Sequence, residues 1–337
     1  PAELLYAELD CLSNYSFLTG ASHPEGLISR AAELGYKALA LCDYASMAGV
    51  VRAYAQARLH PQIRLLVGSR FRFSGQWDTS SCPGTHCETA SPNDTQAHEL
   101  LILPRNKEGY GNLCQFISEL HQSLDLKQEA PIDWSFLQQA RYGAQHTVLA
   151  DCLVIYKPAY GLSGEHIYQQ AQDLKSLFAD RLFLGLSLHR RDQDQQHLRT
   201  VRLAAQQCGL SCAALGGVHM HVRSRQPLHD TLTAIRLKTP IQECGWSLAS
   251  NAEHHLRSRF QLANLYPADL RKTSDHIQEL CQFCLSEIKY EYPVEIVPPG
   301  LSGSEYLRQE TERGAHRRYP KGISDRLRTR LDEELSL

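Results

Sequence analysis

Residues 37–73 read KALALCDYASMAGVVRAYAQARLHPQIRLLVGSRFRF. The stretch opens on a short apolar run, KALALC (37–42), takes up helical spacing in MAGVVRAYAQARL (47–59), and closes on the β-prone run RLLVGSRFRF (64–73). A buried strand, a helix and a second strand in that order make one crossover unit, which sets its two strands parallel in one sheet. The unit recurs on both sides. Upstream, LLYAEL (4–9) predicts a strand, and a helix opens at Ser22-His23-Pro24-Glu25, with Ser22 as cap, Glu25 three residues on, and Leu27, Ala31 and Leu34 as the buried stripe. Downstream, ELLIL (99–103) precedes a helix over 106–122, and TVLADCLVIY (147–156) one over 164–179. LFLGLSL (182–188) precedes a helix over 192–208, and LSCAAL (210–215) one over 226–237. About seven such units in roughly 240 residues predict an α/β fold whose parallel sheet closes into a barrel.

Two stretches break this rhythm. Residues 74–97, SGQWDTSSCPGTHCETASPNDTQA, are polar and rich in Ser, Thr, Gly and Pro, and read as a surface loop inserted in the barrel. From residue 286 the chain turns extended and proline-marked, through KYEYPVEIVPPGLSGSEYL (289–307). Two helical patterns with thin apolar stripes follow over 304–317 and 324–336. The expected division is a barrel domain over 1–285, then a linker and the start of another domain over 286–337.

The chain has 337 residues, 42% of them hydrophobic and 21% charged, which is the composition of a folded globular protein. Its 35 Lys+Arg and 37 Asp+Glu leave a net charge of −2, which excludes a generally basic nucleic-acid coat. No apolar run is long enough to span a bilayer, so no membrane association is expected. The beginning, PAELLYAELDC, carries acids where a signal peptide would be basic and then apolar, so a cytoplasmic location is expected. The eleven cysteines are odd in number and do not read as a disulfide framework. Cys281 and Cys284 fall in the periodic stretch HIQELCQFCLSEI and read as core thiols of a helix. Cys82, His86 and Cys87 supply three zinc-type donors without an evident fourth.

In such a barrel, reactive groups sit where strands end. After the first strand come Asp10-Cys11-Leu12-Ser13, after the second Asp43-Tyr44, inside the third Arg70, at the start of the fourth His98, and after the last Gly217-Val218-His219. The segments ELDCLSNYSFLTGASHPEGLISRAAELGYKALALCDYASMAGVVRA (8–53), LLVGSRFRF (65–73), NKEGYGNLC (106–114) and GGVHMHVRSRQPLHDTLTAIRLKTPIQECG (216–245) resemble the N-terminal PHP domain of C-family bacterial DNA polymerases. Within that family they are most similar to the error-prone DnaE-type (ImuC) subfamily. The segments VHMHVRSR, NAEHHLRSRFQLANLYP (251–267) and YEYPVEIVP (290–298) are the most specific, and the likeness runs from about residue 5 to 300.

The resemblance implies a distorted seven-stranded PHP-type barrel with a metal cluster for phosphoester hydrolysis, followed here by an extension that begins the palm region of a polymerase body. The sequence departs from the family's ligand pattern at most positions. His-x-His is Asp10-Cys11-Leu12, Thr19 stands for the next acid, and Asp-His is Asp43-Tyr44. The third-strand acid is Arg70, the acid before His189 is Ser187, and the Asp of Asp-x-His is Gly217. Asp10, Asp43, His98, His189 and His219 remain as residual ligand positions.

Arg70 brings a positive charge that, at ~4 Å and an effective dielectric near 20, opposes each cationic unit by about 4 kcal/mol. A cluster should not survive this, and Arg70 is expected to pair with Asp10 or Asp43 instead. One ion at Asp43, His98 and His219 is the lesser alternative. Arg223, Arg225, Arg257 and Arg259 are candidates for contact with DNA or another polymerase domain.

The family further implies damage-induced mutagenesis and translesion synthesis by the longer polymerase, with magnesium on palm aspartates and no cofactor in this chain. The implied partners are the rest of the polymerase, DNA, the sliding clamp and mutasome subunits. The alternatives are a phosphoesterase or 3′–5′ exonuclease using zinc or manganese with an unusual ligand set, and a free-standing interaction module.

Overall fold

The computed structural model describes residues 6–74, 98–123, 132–142, 146–289 and 296–336. Cys82, His86, Cys87 and residues 75–97 of the expected loop lie outside them, as do 290–295 of YEYPVEIVP. The chain divides into two compact units, Pro1–Ile288 and Lys289–Leu337.

From the N-terminus come β1 (Glu8–Cys11), α1 (Pro24–Glu33), β2 (Ala38–Tyr44), α2 (Val50–Ala57) and β3 (Arg64–Ser74). Then follow β4 (His98–Pro104), α3 (Lys107–Ser123), β5 (Ile132–Asp133), α4 (Trp134–Gln139), β6 (Arg141–Tyr142) and β7 (Thr147–Val148). β8 (Cys152–Lys157), α5 (Gly164–Phe178), β9 (Leu182–Ser187), α6 (Asp194–Cys208) and β10 (Cys212–Leu215) complete the sheet. α7 (Gln226–Leu237), α8 (Arg259–Leu265) and α9 (Ala268–Leu280) end the first unit.

Seven strands lie in the order β1-β2-β3-β4-β8-β9-β10, with β5 added on β3. The end of β1 meets the chain just past β10: Leu12 N–H donates to Val218 O at 3.0 Å and Val218 N–H to Asp10 O at 2.8 Å, nearly closing the barrel. The sheet is mixed rather than all parallel, because β4 runs antiparallel to both β3 and β8. His98 pairs with Phe73, so the chain re-enters the sheet at the end it had just left and must run back.

Alternation sorts side chains into two layers. Leu9, Ala40, Cys42, Leu66, Leu101, Leu153, Ile155, Phe183 and Leu215 fill the barrel, joined by Ile277 and Cys281. Leu39, Leu41, Phe71, Leu100, Ile102, Val154, Leu184 and Leu186 face outward under the helices.

Three local expectations are corrected. The N-cap of α1 is His23, not Ser22, since the Ser22 hydroxyl is engaged by His221 Nδ1 at 2.8 Å. The run 147–156 is broken, with Leu149 and Asp151 at positive φ. There β7 turns back onto β6, and Arg181 donates to the carbonyls of Val148, Leu149 and Cys152. The helix before the CxxC stops at Leu280, so Cys281 is buried beyond it and Cys284 is exposed.

In the second unit, α10 (Gly303–Arg318) opens on a capping box of Ser302 and Glu305. It is tied to α11 (Asp325–Leu335) by Arg308–Asp332 at 3.0 Å and Arg328–Glu312 at 3.4 Å. Neither helix buries a residue.

Candidate functional site

The mouth is the end of the barrel where β1, β2, β3, β8, β9 and β10 finish and β4 begins. Asp10 leaves β1 into this space and is fully buried. The Arg70 guanidinium, also buried, donates to its Oδ1. Lys157 Nζ donates to its Oδ2 at 3.0 Å, and the Ser187 hydroxyl to the same oxygen at 3.2 Å.

A second carboxylate completes the set. Glu99 Oε2 accepts from Lys157 Nζ at 2.9 Å, Oε1 lies 3.5 Å from Arg70 Nη1, and the Tyr44 hydroxyl donates to Oε1. Two acids and two bases thus neutralise one another. Burial alone would raise the Glu99 carboxyl, but Lys157 and Arg70 outweigh it and hold the group down at about 2. Burial lowers the Lys157 ammonium, against the opposing pull of Glu99.

The other proposed ligand positions do not converge on this set. Asp43, near the end of β2, is turned to the β1–α1 loop, accepting from Ser13 N–H at 2.7 Å, the Ser13 hydroxyl at 2.8 Å and the Ser16 hydroxyl at 2.7 Å. Its carboxyl is raised by burial, which these donors offset in part. His98 shares the outward face of Leu100 and Ile102, where its Nδ1 meets the Tyr156 hydroxyl at 2.8 Å and its ring stacks on Tyr156. The residue that turns into the mouth from β4 is its neighbour, Glu99. Asp43, His98 and His219 therefore do not share one pocket.

His189 and His219 do line the mouth, with His254 between them. The rings of His189 and His254 stack at 3.8 Å, and His254 lies 4.6 Å from His219. His189 Nε2 is 3.1 Å from Gly216 O, His254 Nδ1 is 2.9 Å from Gly217 O, and His219 Nδ1 is 3.1 Å from His229 Nε2. Burial first, and then their mutual repulsion and the nearby cations, hold all three well below the ordinary histidine value, so they are neutral imidazoles at pH 7.

Gly217 explains part of this packing. It has φ +58°, and a Cβ there would lie 2.8 Å from the His189 ring, so the imidazole fills the space a side chain at 217 would need. Among the described residues, no group of three or more His, Cys, Asp or Glu side chains is placed to hold a metal ion.

The four arginines weighed as DNA contacts separate. Arg257 is 2% exposed and donates to Leu188 O at 2.6 Å and Gly216 O at 2.9 Å, so it clamps the barrel from within and is withdrawn as a surface contact. Arg225 is half-buried, donating to Ala21 O at 2.6 Å, and Arg259 is half-buried against Gly35. Arg223 is exposed, 3.8 Å from Glu253.

Glu99, Lys157 and His254 were not singled out from sequence. Strand alternation carries the signal for the first two, since Leu101 and Leu103 inward imply Glu99 inward, and Leu153 and Ile155 imply Lys157. Nothing local to NAEHHLRSR points to His254 rather than His255.

A PHP domain profile matches residues 8–189, more than half of the chain. The error-prone DNA polymerase of Bordetella parapertussis is 43% identical over 333 residues, covering 98% of this chain and 30% of that protein. The error-prone DNA polymerase of Ralstonia pickettii is 42% identical over 339 residues, with the same coverage. The chain therefore spans about 30% of the length of these curated relatives. An amidohydrolase structure from Chromobacterium violaceum, with sulfate and no metal bound, overlays 64% of this chain and 87% of its own with a TM-score of 0.45 and 15% identity. With a nearly closed seven-stranded barrel and a profile match across its first six barrel strands, the chain belongs to the PHP domain family.

Proposed function

We propose that this chain is the N-terminal region of an error-prone DNA polymerase of the ImuC-like, DnaE type, acting in damage-induced mutagenesis and translesion synthesis, and that its barrel is a scaffold without phosphoesterase activity. The names and coverage of the relatives support the first part. One observation carries the second: Arg70 and Lys157 occupy the carboxylates of Asp10 and Glu99. A divalent cluster needs acids free to coordinate and imidazole lone pairs converging on one point. Here the acids are paired, and each mouth imidazole has one nitrogen at a carbonyl or another ring. The residues do not fit a metal cluster, and no hydrolytic step is assigned to them.

In this reading, Lys289–Leu337 begins the palm region of the polymerase. Magnesium would belong to palm aspartates outside this chain. The partners are the remaining polymerase, DNA, the sliding clamp and mutasome subunits, in the cytoplasm. Purified chain is expected to carry no stoichiometric zinc, manganese or iron by elemental analysis, and to leave labelled oligonucleotides intact with or without chelator. Two or three tightly held ions per chain, or chelator-sensitive nuclease activity, would overturn the scaffold role.

A further inference from the structure

α7 turns its apolar side outward. In α1 the buried residues include Leu27, Ile28 and Ala31, in α5 Ile167, Ala171, Leu174 and Phe178, and in α6 Leu198, Val201, Ala204 and Ala205. α7 buries His229, Thr233 and Ala234 instead. Its Leu228, Thr231, Leu232 and Ile235 stand at i, i+3, i+4 and i+7, the spacing of a helix face that packs against a partner, and they fall on the opposite side. Leu228 is 40% and Ile235 55% exposed, and Leu232 is half-buried.

The inward side has a reason to be polar, because His229 Nε2 lies 3.1 Å from His219 Nδ1 at the mouth. The outward side carries no charge. Its one polar group is already satisfied, since the Thr231 hydroxyl donates to Pro227 O at 2.7 Å. Covering this face therefore strands no donor or acceptor, and its match is an aliphatic surface.

We propose that this face of α7 docks an aliphatic helix of the polymerase body carried in the same polypeptide. The proposal rests on the reading of this chain as the N-terminal region of a longer polymerase. The chain covers 30% of each curated relative, so the greater part of those proteins lies outside the match and is there to be packed. Size favours a tethered occupant over a second copy. α7 has 12 residues, so its outward side, about 18 Å long and roughly 10 Å wide, offers on the order of 200 Å². Separate chains need about 800 Å² per partner to associate stably, whereas a tether supplies an effective concentration of about a millimolar.

Hydroxyl-radical footprinting tests this, comparing the 337-residue chain with the longer polypeptide at equal radical dose and at several protein concentrations. Expected is ready oxidation of Leu228, Leu232 and Ile235 in the shorter chain, and in the longer one a slowing of about fivefold, in proportion to the area covered. The double variant L228Q/I235Q should melt with the parent in the shorter chain and should restore the oxidation rate of Leu232 in the longer one. Equal oxidation in both chains, protection of the shorter chain that grows with its concentration, or protection of Leu232 that survives the double variant would each overturn the proposal. Primer extension by the longer polypeptide tests the polymerase reading separately. Extension with α7 unprotected defeats the docking alone, and protection without extension defeats the polymerase reading alone.

Discussion

At Lys157 one ammonium serves two buried carboxylates, and its removal leaves Asp10 and Glu99 with Arg70 as their remaining cation. Breaking such a set from one side costs about 3–5 kcal/mol, whereas removing charge from both sides costs far less. Lys157→Met should therefore lower the unfolding free energy by about 3–5 kcal/mol, and adding Glu99→Gln should recover part of the loss. Urea unfolding of the two variants checks this; an additive double variant would show that the quartet does not act as a unit.

Protonation gives a second prediction at this scale. Burial above all, against donors from Gly216 and Tyr6, raises the Glu8 carboxyl to about 7, so the folded chain keeps a proton that the unfolded chain releases near 4.5. That contribution to stability falls as pH rises from 4.5 to 7. The lowered histidines act oppositely. His189, His219, His254 and His197 stay neutral in the fold while the unfolded chain protonates below 6.5, so their contribution is lost as pH falls below 6.5. Four groups outweigh one, and stability should fall on acidification from pH 6.5 toward 4.5. In Glu8→Gln the opposing slope is gone, and the fall should steepen. Urea midpoints measured across that range decide it, and a shallower slope in the variant would contradict the assignment.

At the scale of elements, the strand–helix units were legible because strands buried on both faces read as short apolar runs while the helices between them keep a 3.6-residue spacing. The orientation of β4 was not, although the polar run without helical spacing between FRF and ELLIL was a sign that no crossover helix joined those strands. The mouth was legible to within one residue of register. A slip of one turns every side chain to the other face, and that is the difference between His98 and Glu99. The break at 149–151 had no local signal, since it depends on Arg181, some thirty residues away.

Between β10 and the following loop, Gly217 is the position where register and packing meet. Gly217→Asp would supply the acid that the resemblance implies at this position, yet it must adopt φ +58° and displace His189. Backbone strain alone costs about 1–3 kcal/mol, and the collision adds to it. The variant should be less stable by at least that range and still bind no stoichiometric manganese, as thermal unfolding and elemental analysis would show. A stable, metal-loaded variant would mean that Gly217 alone had emptied the site.

For the whole molecule, the question is what the Pro1–Ile288 unit needs in order to fold. Its interior is supplied by its own strands and by Ile277 and Cys281, while the Ser274 hydroxyl, on α9, donates to Ala214 O at 2.7 Å. The barrel thus needs the chain as far as α9, well past the end of the profile match at residue 189. α10 and α11 bury no residue, and ion pairs between exposed side chains, worth about 0–1 kcal/mol each, bind them to one another. A chain ending at Ile288 should then melt in one cooperative transition within a few degrees of the full chain, whereas one ending at Leu265 should lose the barrel, because Ile277, Cys281 and the Ser274 bond go with α9. Calorimetry of the two truncations tests this. Loss of the cooperative transition on removing residues 289–337 would show that the barrel depends on the second unit, and that the scaffold is larger than the PHP fold.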